Sequence, residues 1–460
     1  MTNPFADPSR DYWVLCNAEG QYSLWPTSLE IPEGWQTAFG PESWQNCLDN
    51  VEKNWTDMRP LSLLGQRKCP VPYPFREYVA LNMDPIYASL QQRDEMLRIS
   101  VPYGDDAWLA SSYKHVKCVI QDTRFSRETT KYDEARLTPI PIRTSVLGMD
   151  PPDHTRLREA LAAALTPSHV EQMKPWITSM TEQLIDDFVA QGPPADLVEQ
   201  FALPFTGHIT CELMGIPLED RPQFKAWCDG FSSTSSLTKE EVEVRMQAMY
   251  TYITELVGRR RESPSDDIIS KLLQPEDKRL ELSEIELIDL ATILLLAGYD
   301  STAMELANAI FVLLTHPEQT QLIREQPKLM PQAVQELLRY IPIDAHVTFA
   351  RYATEDVQVG NTLVRTGDAI LASFPSANHD PAIFEDPHTF NIMRPRKPNF
   401  GLGTGIHSCA GKLLAVVELE IALSVLIRRL PTLRLAIPAE EVPWQPGSLL
   451  RSTSKLPAEW

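Results

Sequence analysis

Near the far end of the chain, Asn399-Phe400-Gly401-Leu402-Gly403-Thr404-Gly405-Ile406-His407-Ser408-Cys409-Ala410-Gly411 gathers four glycines around a single cysteine. Gly403 and Gly405 can take positive φ, or let another body come close to the backbone. An apolar run from Leu413 through Ile427 follows, which predicts a helix starting at Gly411. A sulfur at such a start faces unpaired amide N–H groups and the positive end of the helix dipole. Both lower a thiol pKa and favour thiolate. A lone, shielded thiolate on a glycine-lined loop suits axial ligation of haem iron. A buried free cysteine beside a turn is the plainer reading of the same residues.

Three other groupings could do chemistry. The stretch from Leu290 through Leu314 predicts a helix too apolar on all sides for a surface, broken at its centre by Ala297-Gly298-Tyr299-Asp300-Ser301-Thr302. An acid beside hydroxyls in such a helix is costly unless it is well bonded or works. Ala297 and Ser301 share a face one turn apart. The Ser301 hydroxyl can bond back to a carbonyl, opening the helix to water, and Asp300 can then relay protons. A kinked helix with a satisfied polar pair is the alternative. His154 and Arg158 lie four apart on a helix read as capped by Asp153 and running to Ala164, so one face carries two donors fit for a carboxylate, or simply for solvent. Glu336 and Arg339 form a Glu-x-x-Arg pair, which alone is no more than a common helical salt bridge.

The elements that must hold these residues fall into two parts. Half of the ten tryptophans (Trp13, Trp25, Trp35, Trp44, Trp55) crowd into the first 65 residues. There Tyr12–Cys16 and Gln21–Trp25 alternate as a hairpin, Gln36–Phe39 reads as a third strand, and Trp44 to about Asn54 as a helix. Residues 65–74 are proline-rich and aperiodic, and read as a short, semi-stiff linker. Beyond them, Tyr87–Leu90 looks helical and Leu97–Val101 with Ala107–Ala110 looks like a hairpin. Helical segments fill 168–285, with breaks at Gly192, Gly215 and Pro264. Val347–Arg351 and then Tyr352–Val357 read as strand structure. A formal net charge of −20 argues against a nucleic-acid binder and against an anionic membrane surface. Seven scattered cysteines read as a reducing compartment. The first residues lack the basic and apolar stretches of a leader, and Leu290–Leu296 alone is too short to span a bilayer, so a cytoplasmic protein is expected.

Two families resemble these parts. The Cys409 loop is similar to the haem-ligand loop of cytochromes P450, Phe-Gly-x-Gly-x-His-x-Cys-x-Gly. Gly403, Gly405, His407, Cys409 and Gly411 stand in register, and Leu402 stands at the Phe position. The resemblance runs over residues 75–460. It implies that Cys409 is the axial ligand of haem b (iron protoporphyrin IX), and that His154, Arg158, Arg351 and His407 serve its propionates. By the same resemblance Ala297 and Gly411 line the cofactor, while Asp300, Ser301 and Thr302 handle protons and oxygen. Glu336, Arg339 and Arg394 would form a structural ion-pair network. The loop at Thr129–Gly148 and the polar stretch Phe231–Ser236 would cover the substrate. The expected fold is mainly α with small β-sheets, preceded by a small α+β domain of three antiparallel strands and a helix.

That front domain, residues 1–64, resembles the MbtH-like proteins through Asn3-Pro4-Phe5, Asn17-x-Glu19-Gly20-Gln21-x-Ser23-Leu24-Trp25-Pro26, Pro32-x-Gly34-Trp35 and Trp55-Thr56-Asp57-Met58-Arg59-Pro60-x-Ser62-Leu63. The resemblance implies a non-catalytic partner of the adenylation domain of a nonribosomal peptide synthetase, with a cleft lined by Ser23, Leu24, Trp25 and Trp35. No flavin or nicotinamide fingerprint is present, so electrons are expected from a ferredoxin and a ferredoxin reductase using NAD(P)H, with O2 as co-substrate. The fusion implies oxidation, most simply hydroxylation, of an amino acid or of an aminoacyl or peptidyl unit on a peptidyl carrier protein. Oxidative aryl or phenol coupling, or a weakly catalytic haem-containing scaffold, are the rival readings.

Overall fold

The computed structural model describes residues 10–17, 21–54, 70–75, 78–92, 94–128, 135–140, 146–344 and 349–460. The motifs at Asn3-Pro4-Phe5 and Trp55–Leu63, most of the 65–74 linker and parts of the Thr129–Gly148 loop lie outside these residues.

In the front part, β1 (Asp11–Asn17) is the middle strand of an antiparallel sheet, with β2 (Tyr22–Pro26) on one side and β3 (Trp35–Ser43) on the other. Strand alternation sorts the residues between two faces. Tyr12 and Val14 pair with Pro26 and Leu24 and pack with Cys47 of the helix Trp44–Asn54. Trp13 and Leu15 pair with Trp25 and Ser23 on the opposite face.

The tail of the expected linker is already built into the larger part. Val71 and Pro72 pair with Ile99 and Ser100, and Tyr73 is buried against Phe75. A proline tolerates this place because the strand lies at the sheet edge, where one side needs no donor. The sheet has six strands, in the order Val71–Pro72, Leu97–Ser100, Ala107–Ala110, Ala369–Ala372, Arg351–Ala353 and Phe125–Ser126. Within the strand structure expected over Val347–Val357, Arg351–Ala353 forms a strand and Val357 opens another, while residues 345–348 are not among those described.

Around this sheet the chain is mostly helical. The helix Glu284–Thr315 runs uninterrupted through the core, packed by Leu203–Met214, Phe224–Ser232, Lys239–Glu262 and Lys412–Arg429. It starts earlier than its apolar run because Ser283 and Glu286 form a capping box. The Ser283 hydroxyl accepts from the Glu286 N–H at 3.3 Å, and the Ser283 N–H donates to the Glu286 carboxylate at 2.8 Å. By length and composition this helix could cross a membrane, but most of its residues are buried inside the protein. The breaks at Gly192 and Gly215 are helix ends at positive φ, +80° and +66°. Asp153 is the first helical residue rather than the cap. Pro152 holds the cap position, and no side chain bonds there.

The Cys409 loop is fastened to the helix Met330–Tyr340. The Phe400 N–H donates to the Asn378 side-chain oxygen at 2.7 Å, and a Cβ on Gly401 would run into the Leu338 carbonyl. Phe400 stacks on Phe374 with ring centroids 5.7 Å apart. The aromatic of the loop thus packs from two positions before Leu402.

Candidate active site

Gly403 and Gly405 take φ of +65° and +74°, which turns the chain so that the Cys409 N–H donates to the Leu402 carbonyl at 2.9 Å. Gly411 holds the cap position of the helix Lys412–Arg429. The Cys409 residue is exposed, yet enough protein surrounds the sulfur that burial pushes its pKa up. The Gly411 amide and Arg158 pull the other way. The helix terminus alone therefore does not deliver the low thiol pKa expected from the sequence. A metal cation bound at the sulfur is what would turn it to thiolate.

Beside this loop the fold collects arginines from three distant segments. Phe125 and Ser126 pair with Ala353 and Tyr352, which sets Arg127 beside Arg351, and the Arg351 guanidinium donates to the Phe125 carbonyl at 3.3 Å. Asp150 ties that strand end to the next helix. It accepts from the Ser126 hydroxyl and, at 3.0 Å, from the Arg127 N–H, while its carbonyl accepts from the His154 N–H at 3.1 Å. His154 and Arg158 follow on this helix. His154 lies against His407 of the cysteine loop, ring centroids 4.2 Å apart.

The Nε2 atoms of both histidines are buried without a hydrogen-bond partner. Burial, then the neighbouring Arg158 and Arg127, lowers the His154 pKa. His407 is driven far down by burial, Arg127 and Arg351, and Arg351 itself falls to about 10 through burial. Arg127, Arg158 and Arg351 with two neutral donor imidazoles face one carboxylate, Asp150. That is a pocket built for added negative charge, and it fits the two propionates of a haem whose iron meets Cys409. Sequence reading had four of these donors. Arg127 and Asp150 join them through contacts between separate segments, Arg127 by strand pairing over more than 200 residues and Asp150 by its bonds to Ser126 and Arg127.

On the central helix, Ala297 and Gly298 are exposed and Ser301 half-buried, in a helix largely enclosed beyond its first turn. The Ser301 hydroxyl donates to the Ala297 carbonyl at 2.6 Å, the back-bond expected, although the helix stays continuous. Asp300 turns the other way, toward Phe224–Ser232. Burial pushes its pKa up to about 6, with Lys225 pulling down and Asp229 pushing up. Lys225 and Asp229 are themselves paired at 2.9 Å and partly exposed, so they stand between Asp300 and solvent. Thr302 is buried on the flank of the helix.

Glu336, Arg339 and Arg394 form one buried network. Arg339 donates twice to Glu336 at 2.8 Å and to the carbonyls of Asn378 and Pro387 at 3.0 and 2.8 Å. Arg394 donates to Glu336 at 3.0 Å. In the front part Ser23, Trp25 and Trp35 share a sheet face, Trp35 pairing with Asn17. Leu24 points to the opposite face and into the small core, so the four expected cleft residues are not brought together.

Comparison with known proteins agrees with both halves. Residues 1–67 match the family model for MbtH-like protein, and residues 223–446 match the model for Cytochrome P450. The chain is 40% identical to mycinamicin IV hydroxylase/epoxidase of Micromonospora griseorubida over 85% of this chain and 99% of that protein. It is 41% identical to nocardicin C N-oxygenase of Nocardia uniformis subsp. tsuyamanensis, over 84% and 98%. Among solved structures, that of HinD with NMFT and NO superposes with a TM-score of 0.83 at 50% identity, covering 86% of this chain and all of that one.

Proposed function

Since the chain belongs to the cytochrome P450 family and opens with an MbtH-like segment, we propose that it oxidises an aminoacyl or peptidyl unit during nonribosomal peptide synthesis. Family membership brings haem, O2 and an external electron donor. The observation that carries the finer reading is the union of these two modules in one chain, since joining a synthetase-binding module to an oxygenase raises the local concentration of an assembly-line substrate. The front module, residues 1–64, would bind an adenylation domain through Ser23, Trp25 and Trp35. The oxygenase would begin near Pro70. Electrons would come from a ferredoxin and its NAD(P)H-dependent reductase, and the setting would be cytoplasmic.

In this reading the Cys409 sulfur would hold the haem iron, and His154, Arg158, Arg351 and His407, joined by Arg127, would hold the propionates. Bound there, the haem supplies O2 activation and insertion into a C–H bond. The chain's own residues position and move protons. Ala297 and Gly298 keep side chains out of the oxygen site, and the Ser301 hydroxyl can reorient between the Ala297 carbonyl and an incoming group. Asp300 exchanges protons with solvent past the Lys225–Asp229 pair. Glu336, Arg339 and Arg394 fix the cysteine loop and do no chemistry.

The test is intact mass of candidate aminoacyl carrier proteins after incubation with the haem-loaded protein, O2 and a surrogate ferredoxin system. Gain of one oxygen atom on a carrier-bound residue is expected. Unchanged mass on every carrier, with oxidation of free small molecules instead, removes the assembly-line reading. Removal of residues 1–64 is expected to lower adenylation by the partner synthetase, and unaltered adenylation would end the recruitment idea.

A further inference from the structure

The central helix carries a second acid that none of the chemistry above uses. Ala297, Ser301 and Glu305 stand four residues apart, so they form one stripe, and Asn308 continues it a turn later. Where Ala297 and Ser301 are open, Glu305 is only 6% exposed, and both of its carboxylate oxygens are buried without a partner. Asn308 is fully buried. Its amide N–H donates to the Arg451 carbonyl at 2.8 Å, while its side-chain oxygen has no partner. Unpaired buried polar atoms of this kind are rare and costly. On this stripe all three orphan atoms are acceptors.

A second carboxyl faces the same place. Asp344 is half-buried at the end of the segment that follows Met330–Tyr340, and it is bridged to Leu450. It is the charged group that acts on Glu305. Burial pushes the Glu305 carboxyl well up and that of Asp344 to about 6, and among the described residues no counter-charge acts on either acid. Arg451, whose carbonyl accepts from Asn308, turns its guanidinium elsewhere. The Arg451 guanidinium lies over Tyr78 at 4.3 Å and donates to the Asn82 carbonyl at 2.8 Å. The backbone around Arg451 closes the region. Arg451 donates its N–H to the Ile343 carbonyl at 2.7 Å, and Leu449 donates to Ser232 at 2.7 Å, at the start of the polar stretch expected to cover the substrate.

We propose that Glu305, Asp344 and Asn308 form a cation subsite in the wall of the substrate chamber, taking an N–H-bearing organic cation, an ammonium or guanidinium group of the substrate. A cation there brings donors to three orphan acceptors and charge to two acids. Four helical residues separate Glu305 from Ser301, about 6 Å of rise. The carbon to be oxidised would then lie several bonds beyond the cation, at the open stretch of the helix. The identity of the nitrogen source rests on the reading given above. An aminoacyl thioester has a free α-ammonium and no carboxylate, whereas a free amino acid would bring a carboxylate against two acids.

The experiment reads the Soret shift of the haem-loaded protein. Phenylpropylguanidinium is compared with its neutral isostere phenylpropylurea, since a guanidinium stays protonated and does not ligate iron. The cation is expected to bind about tenfold tighter or better, and the preference is expected to shrink to about twofold in the Glu305→Gln, Asp344→Asn double variant. Equal binding of the two probes, or a preference that survives in the variant, overturns the proposal. If the double variant does not take up haem, Asp344→Asn alone is used, and it is expected to lose most of the preference. A second arm compares an aminoacyl carrier protein with its N-acetylated form. Preference for the free ammonium supports both the subsite and the assembly-line reading. Guanidinium preference without any response to carriers keeps the subsite and removes that reading.

Discussion

Glu336→Gln is expected to destabilise the protein strongly and to weaken its hold on haem. Glu336 accepts two bonds from Arg339, one from Arg394 at 3.0 Å and one from the Asn391 N–H at 3.2 Å. Arg339 and Glu336 are only 2% and 6% exposed at their side chains. The glutamine keeps the shape and removes the charge, so two guanidinium ions are left facing a neutral amide in the interior. Breaking a buried pair on one side costs about 3–5 kcal/mol, a large share of the roughly 5–15 kcal/mol that holds a domain together. The loss also reaches the site. Arg339 holds the Asn378 carbonyl, and the Asn378 side chain holds the Phe400 N–H at the head of the cysteine loop. Thermal unfolding is expected to show a fall of roughly 10 °C or more. A variant that melts with the wild type would make this an ordinary helical salt bridge.

Asp300→Asn is expected to separate activity from stability. As a proton carrier Asp300 contributes to turnover, and its loss should lower the coupled rate roughly a hundredfold. Its effect on stability runs the other way. The folded pKa, about 6, lies above the reference 3.8, so the native state binds more protons than the unfolded one. Stability from this group is therefore full below 3.8 and is lost as pH rises through about 6. A shift of about two units corresponds to about 3 kcal/mol of destabilisation at alkaline pH. Asparagine does not ionise, so the variant should melt higher than wild type at pH 8 and near it at pH 4. Unchanged turnover, or a variant that is less stable at pH 8, would contradict the assignment of a buried, working acid.

Local signals were enough for much of this. The glycine spacing around Cys409, the small residues at Ala297 and Ser301, and the strand alternation of the front sheet each specify their geometry from neighbours in sequence. What was not legible depends on distant partners. Val71–Pro72 reads as linker until Ile99 and Ser100 are beside it. Arg127 and Asp150 look like ordinary surface residues until the Phe125–Ser126 edge strand pairs with Arg351–Ala353. The Cys409 thiol illustrates competing terms. The helix start was visible in the sequence, but the greater mass of protein around the sulfur was not, and burial outweighs the dipole. Leu24 was grouped with its neighbours by motif, and strand parity sends it to the other face.

The whole account turns on a thiolate bond from Cys409 to haem iron, and the absorption spectrum of the reduced, carbon monoxide-bound protein tests it most directly. A strongly red-shifted Soret band, lost on Cys409→Ser, is the expected result. A reduced carbonyl spectrum without that red shift in folded, haem-loaded wild type, or an unaltered band in Cys409→Ser, would contradict it.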